Sequence, residues 1–144
     1  VASILVIDDD RAVLSIIKLL LERAAYAVEA VDNSQAGLRL LETQSFDLLI
    51  VDIFMPGIDG FETMRLVRQS WSEMPIVVIS GQQFRSASER EPDFLYMATK
   101  LGAVSSLQKP FRPHELLAAV AQSLSDSRKS SEPSKATQRN MPPD

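Results

Sequence analysis

Apolar positions along the first 124 residues follow two rhythms. Ser3–Ile7, Leu48–Val51 and Pro75–Ile79 are short, almost continuous apolar runs that end in acidic or turn residues. Such runs read as strands buried on both faces, the habit of parallel sheets covered by helices. Between them the spacing turns helical. Val13, Ile16, Ile17, Leu20, Leu21 and Ala24 predict a sheet-facing helix from an Asp10 N-cap to about Ala24. Tyr26–Val31 alternates weakly and suits an outer strand. Asn33 or Ser34 then opens a short helix to about Gln44, with Leu38 and Leu41 inward. After Gly60 a helix carries Phe61, Met64, Val67 and Trp71 on one face. Another begins near Pro92, with Phe94, Met97, Ala98 and Leu101 as its stripe and Gly102 as its stop. Ala103–Gln108 reads as a fifth, less apolar strand. Pro113 opens a last helix that buries Leu116, Leu117, Val120 and Leu124.

Strands alternating with helices in this way predict an α/β fold with a parallel sheet and right-handed crossovers. The 144 residues suit one domain, placed at 1–124. From Ser125 the apolar period stops and Ser, Lys, Arg and Pro dominate, so 125–144 is expected to be a disordered polar tail.

Charge narrows the function classes. Residues 1–124 hold 16 acidic and 11 basic side chains, and the whole chain carries a net charge of -4. That balance argues against a nucleic-acid-binding surface, which needs a basic patch. The chain has no cysteine, so disulfides and cysteine-based zinc sites are excluded and nothing asks for an oxidising compartment. No apolar segment approaches the roughly 20 residues of a membrane span, and no signal-peptide pattern precedes the first strand. No membrane partner and cytoplasmic residence are the expectation. The start at Val1 rather than Met is expected of a chain trimmed or excised from something longer.

The chemistry concentrates at two strand ends. The run Leu48–Val51 delivers Asp52 to its carboxyl end before Pro56, Gly57 and Gly60 break the chain. The first run ends in Asp8-Asp9-Asp10. If the two runs are neighbouring parallel strands, Asp8, Asp9 and Asp52 converge at one sheet edge, where ligands bind in open α/β sheets. Like charges in so small and partly buried a space repel, and a divalent cation resolves the conflict. Oxygen-only ligands favour magnesium, calcium or manganese over zinc.

In chain order the motifs are Asp8-Asp9 after the first strand, Asp52 in Asp52-Ile53-Phe54-Met55-Pro56-Gly57-Ile58-Asp59-Gly60, Ser80 after the fourth strand, and Lys109-Pro110-Phe111. With this ordered set, spanning about Ser3 to Leu124, the chain resembles a response-regulator receiver domain of two-component or phosphorelay signalling. The resemblance implies a flavodoxin-like (βα)5 doubly wound fold with strand order 2-1-3-4-5. It implies a signalling phosphoacceptor in place of a metabolic enzyme, assisting its own phosphorylation and dephosphorylation. Asp52 would accept a phosphoryl group from a sensor histidine kinase or histidine phosphotransfer protein, with Mg2+ as cofactor and Mn2+ or Ca2+ able to substitute. Asp9 and Asp52 would bind the metal directly, Asp8 through water, and Phe54 through its backbone carbonyl. Ser80 and Lys109 would contact phosphoryl oxygens, with a cis Lys109-Pro110 bond aiming the lysine inward. Gly81 would leave the phosphate's approach open. Phosphorylation would switch the surface around residues 80–111 toward a downstream protein target, and the resemblance leaves room for a phosphorylation-dependent dimer.

Two departures from the family pattern stand out. Ser106 occupies the position, three residues before the lysine, that often holds an aromatic switch. A small hydroxyl cannot bury comparable area, so signalling is expected to use residues 82–101 instead. The segment Gly81–Glu91 is longer than usual and reads as a solvated loop, with a lid over Asp52 or a partner-selective surface as the sharper alternative. Two other functions fit the same residues less well. A magnesium-dependent phosphohydrolase of the haloacid dehalogenase type matches the acidic spacing of Asp8-Asp9-Asp10-Arg11-Ala12, but that motif lacks its final Thr or Val and no cap domain is visible. The other is a receiver-like interaction module that works without phosphorylation, disfavoured by the intact acidic set, Ser80 and Lys109.

Overall fold

The computed structural model describes residues 1–53, 55, 60–81, 98–100 and 102–140, and only the backbone from 128 onward. In chain order the elements are β1 (Ser3–Ile7), α1 (Arg11–Arg23), β2 (Ala27–Val31), α2 (Ser34–Thr43), β3 (Leu48–Asp52), α3 (Gly60–Ser70), β4 (Ile76–Ser80), β5 (Ala103–Gln108) and a C-terminal helix (Pro113–Asn140). The five strands form one parallel sheet in the order β2-β1-β3-β4-β5. Residues 98–100, the described part of the helix expected to open near Pro92, are helical, and Ala98 is buried.

The continuous apolar runs follow from burial on both faces. Along β1, Ile4 and Val6 join Ile50, Val77, Ile79, Leu116 and Val120 on the side of α1 and the C-terminal helix. Leu5 and Ile7 join Leu49, Val51, Met64, Val67 and Val78 on the side of α2 and α3. Successive side chains point to opposite faces, so a strand covered twice cannot alternate apolar with polar. The edge strands do alternate. β5 carries a bulge opposite Ile76/Val77, and Val104 there is exposed, a usual device for blunting an open edge.

The caps follow local chemistry. The Asp10 carboxylate accepts from the amides of Ala12 and Val13, and Asn33 accepts from that of Ala36. The expected inner face of α1 needs correction. Ile16 and Ala24 are exposed, while Leu14, Ile17 and Leu21 are buried. An apolar stripe wider than the contact face does not reveal its own centre, and the tilt of α1 on the sheet decides it. The last helix also departs from expectation. Its backbone stays helical to Asn140, where the sequence suggested a disordered tail from 125. His114, in the first turn of this helix, is exposed.

α1 ends on a residue poorly suited to its backbone. Ala25 has φ 74, and the amide of Tyr26 returns to the Leu21 carbonyl at 3.1 Å. This left-handed C-cap is normally glycine's, because a Cβ there meets the neighbouring carbonyl. Ala25→Gly is expected to raise stability by about 1 kcal/mol, read as a higher urea midpoint at unchanged slope.

Candidate functional site

Strand order builds the site. β1 and β3 are neighbours in register, Ile7 opposite Val51. The next residues, Asp8 and Asp52, therefore reach the same sheet edge. Asp8 is fully buried and Asp52 is 2% exposed, while Asp9 is exposed. Ligand oxygens of Asp8, Asp9 and Asp52 all lie within 4.8 Å of one another. The backbone helps to hold them, since the amide of Asp10 donates to Asp8 Oδ1 at 2.9 Å.

Lys109 brings the countercharge from β5. Its amide donates to the Ser80 carbonyl at 2.8 Å, continuing the pairing of β4 with β5. The Lys109-Pro110 bond is cis, in line with the expectation. Nζ lies 2.9 Å from Asp8 Oδ2 and donates to Asp8 Oδ1 at 3.3 Å and Asp52 Oδ2 at 3.2 Å. The short contact to Asp8 Oδ2 is an ion pair without hydrogen-bond alignment, and that buried oxygen has no hydrogen donor among the described residues.

Among the described residues the site is thus acidic on balance, with three carboxylates against one ammonium. A buried carboxylate oxygen without a donor, beside two further carboxylates, suits a hard divalent cation that takes oxygen ligands. Asp8, Asp9 and Asp52 fit such an ion. Phe54, expected to add its carbonyl, lies outside the described residues, as do Pro56–Asp59 and 82–97.

Ser80 closes β4, buried beside β5, and Gly81 is buried after it. Ser106 pairs with Val78 in the ladder but is itself exposed on β5. It lines one small cavity with Val78, Ala98 and Thr99, and another with Lys109 and Phe111.

One positioning residue was read from the sequence only as a turn marker. Gly60 begins α3, and its amide donates to the Ile53 carbonyl at 2.9 Å. A Cβ on it would fall 2.3 Å from the Asp52 carbonyl oxygen and 2.5 Å from Ile53 Cα. Only glycine lets α3 start against the backbone of the strand end that carries Asp52. A second feature left no sequence signal. Arg68 donates to the carbonyls of Trp71, Ser72 and Gly102, tying the end of α3 to the start of β5.

A family model described as response regulator receiver domain matches residues 4–121. The chain is 35% identical over 117 residues to the transcriptional regulatory protein FixJ of Bradyrhizobium diazoefficiens, covering 81% of this chain and 54% of FixJ. It is 32% identical over 117 residues to the alkaline phosphatase synthesis transcriptional regulatory protein PhoP of Bacillus subtilis, covering 81% of this chain and 46% of PhoP. The chain therefore spans about half the length of these relatives. Among solved structures, a CheY-like receiver domain protein from Methanospirillum hungatei superposes with a TM-score of 0.81 at 26% identity, covering 90% of this chain and 98% of that one. A receiver domain protein from Clostridium thermocellum gives 0.78 at 30% identity, covering 89% and 98%.

Proposed function

We propose, on the premise that this chain belongs to the response regulator receiver domain family, that Asp52 is its phosphoacceptor in two-component signalling. The observation carrying this reading is the gathering of Asp8, Asp9, Asp52 and Lys109 at one sheet edge. A carboxylate oxygen of Asp52 attacks the phosphorus of a phosphohistidine on a histidine kinase or phosphotransfer protein. The P–N bond breaks, a P–O bond forms, and the imidazole leaves. Phosphoryl transfer asks a protein mainly for positioning and for neutralising charge on three equatorial oxygens.

Each residue contributes to one of those tasks. Asp8, Asp9 and Asp52 would hold the metal, with the Phe54 carbonyl as the further ligand that the family resemblance implies. Bound there, Mg2+ neutralises charge on Asp52 and on the incoming phosphoryl group. Lys109, already beside Asp52, sets its ammonium against a phosphoryl oxygen. Ser80 donates its hydroxyl to another oxygen, and Gly81 leaves the approach clear. Drawing Ser80 toward the phosphate displaces the chain that follows it and shifts an existing inactive/active equilibrium at the 80–111 surface. A downstream protein reads that surface, and the domain works in the cytoplasm. Among the described residues no helix is long and apolar enough to cross a membrane.

Incubation with Mg2+ and a small acyl-phosphate donor is expected to label one residue, Asp52, stoichiometrically. Asp52→Asn or removal of the metal should reduce labelling to background. Labelling that persists in the Asn variant, or continuous turnover of a free phosphate ester, would overturn the assignment.

A further inference from the structure

We propose that the cleft where α2 and α3 end is a docking site for an arginine side chain presented by a partner protein. It lies at the amino edge of the sheet, across the strands from Asp52 and independent of the phosphoacceptor reading. Its walls include Glu42, Gln44, Phe46, Trp71 and Met74, around a cavity of about 330 Å³.

Electrostatics is the first argument. The carbonyl ends of helices carry partial negative charge and favour cations. α1 answers with Arg23 in its last turn and α3 with Arg68. α2 has no basic residue in its last turn and carries the acidic Glu42 there. Among the described residues, Glu42 enters no ion pair or side-chain hydrogen bond. Arg68 is committed elsewhere, to the carbonyls of Trp71, Ser72 and Gly102. The α2 end is therefore a negative spot that lacks the cation the other two helix ends have.

The rest of the wall decides which cation fits. Phe46 and Trp71 are half-buried, packed against the core beneath α2 and α3, and both line the cleft. Aromatic surface beside a free carboxylate suits a guanidinium, which stacks on rings through its flat face while its edge pairs with a carboxylate. A compact ammonium exploits only the charge. Met74 and the rings can take up the apolar stem of the side chain.

Trp71 is the chain's single tryptophan, so the site reports on itself. The whole chain is titrated with a capped Gly-Gly-Arg-Gly-Gly peptide while Trp71 emission is followed. The arginine peptide is expected to give a saturable change in the millimolar range, and the same peptide with citrulline none. Glu42→Gln should weaken apparent affinity about fivefold at an unchanged urea midpoint, since Glu42 is exposed. Asp52→Asn should leave binding intact, which separates this site from the phosphoacceptor. Equal responses to arginine and citrulline, affinity indifferent to Glu42, or no saturation by about 50 mM, beyond the range of a single-residue anchor, would each overturn the proposal.

Discussion

Replacing Lys109 with methionine is expected to lower stability by about 2 to 3 kcal/mol and to leave Asp52 almost unlabelled by a phosphodonor. Lys109 sets a positive charge within reach of two carboxylates buried to 0% and 2% exposure. Removing it leaves both charges buried together, the case in which breaking a pair is most damaging. The loss is read from urea unfolding at pH 7 as a lower midpoint at unchanged slope. A shift under about 0.5 kcal/mol would show that the carboxylates are screened by something other than Lys109.

The same residue gives a pH signature. Burial pushes the Lys109 pKa down, but the hydrogen bond that Lys109 donates to Asp8 and the charges of Asp52 and Asp8 outweigh it. The net value stands above the ordinary 10.5. A base that holds its proton more tightly when folded contributes its full stabilisation below its unfolded pKa and loses it as pH climbs through the folded one. The native chain is therefore expected to lose an increment of stability above pH 10.5 that Lys109→Met lacks. Parallel pH curves for the two proteins would remove the pair from the account.

Gly60→Ala is expected to cost about 3 kcal/mol and to slow phosphorylation of the molecules that stay folded. The added methyl would sit 2.3 Å from the Asp52 carbonyl oxygen and 2.5 Å from Ile53 Cα. Both neighbours are backbone, so no side-chain rotation relieves the overlap, and either α3 or the end of β3 has to shift. A shift of β3 carries Asp52 with it, and small misplacements at a reacting group slow it strongly. Labelling rates compared well below the unfolding midpoint isolate this effect from lost stability. A normal rate in a destabilised variant would show that α3 moved and β3 did not.

The apolar runs told the strands apart from the helices because burial on both faces forces a continuous pattern, and covered strands alternate only at the sheet's edges. The same runs marked Asp8, Asp9, Asp52 and Ser80, since each stands at or just beyond the end of such a run, whereas Lys109 follows the less apolar fifth strand and was marked by the family motif. Local chemistry was legible too: the Asp10 and Asn33 caps satisfy amides two or three residues away. Pattern gave out where partners are remote. It credited Ile16 with burial that Leu14 has, because only the sheet beneath fixes which part of a broad stripe faces inward.

Sequence alone thus determined the number and kind of elements in the described parts of the chain, and which side chains could carry charge chemistry, since those depend on neighbours a few bonds away. Tertiary structure decided that β1 lies against β3, bringing Asp8 to Asp52, and that Lys109 reaches both. It decided too that Gly60 rests on the backbone behind Asp52, and that Glu42, Phe46 and Trp71 face one cleft. These are meetings between segments far apart in the chain. Their energies come from close packing and from charge in a low-dielectric interior, and neither exists until the sheet has closed.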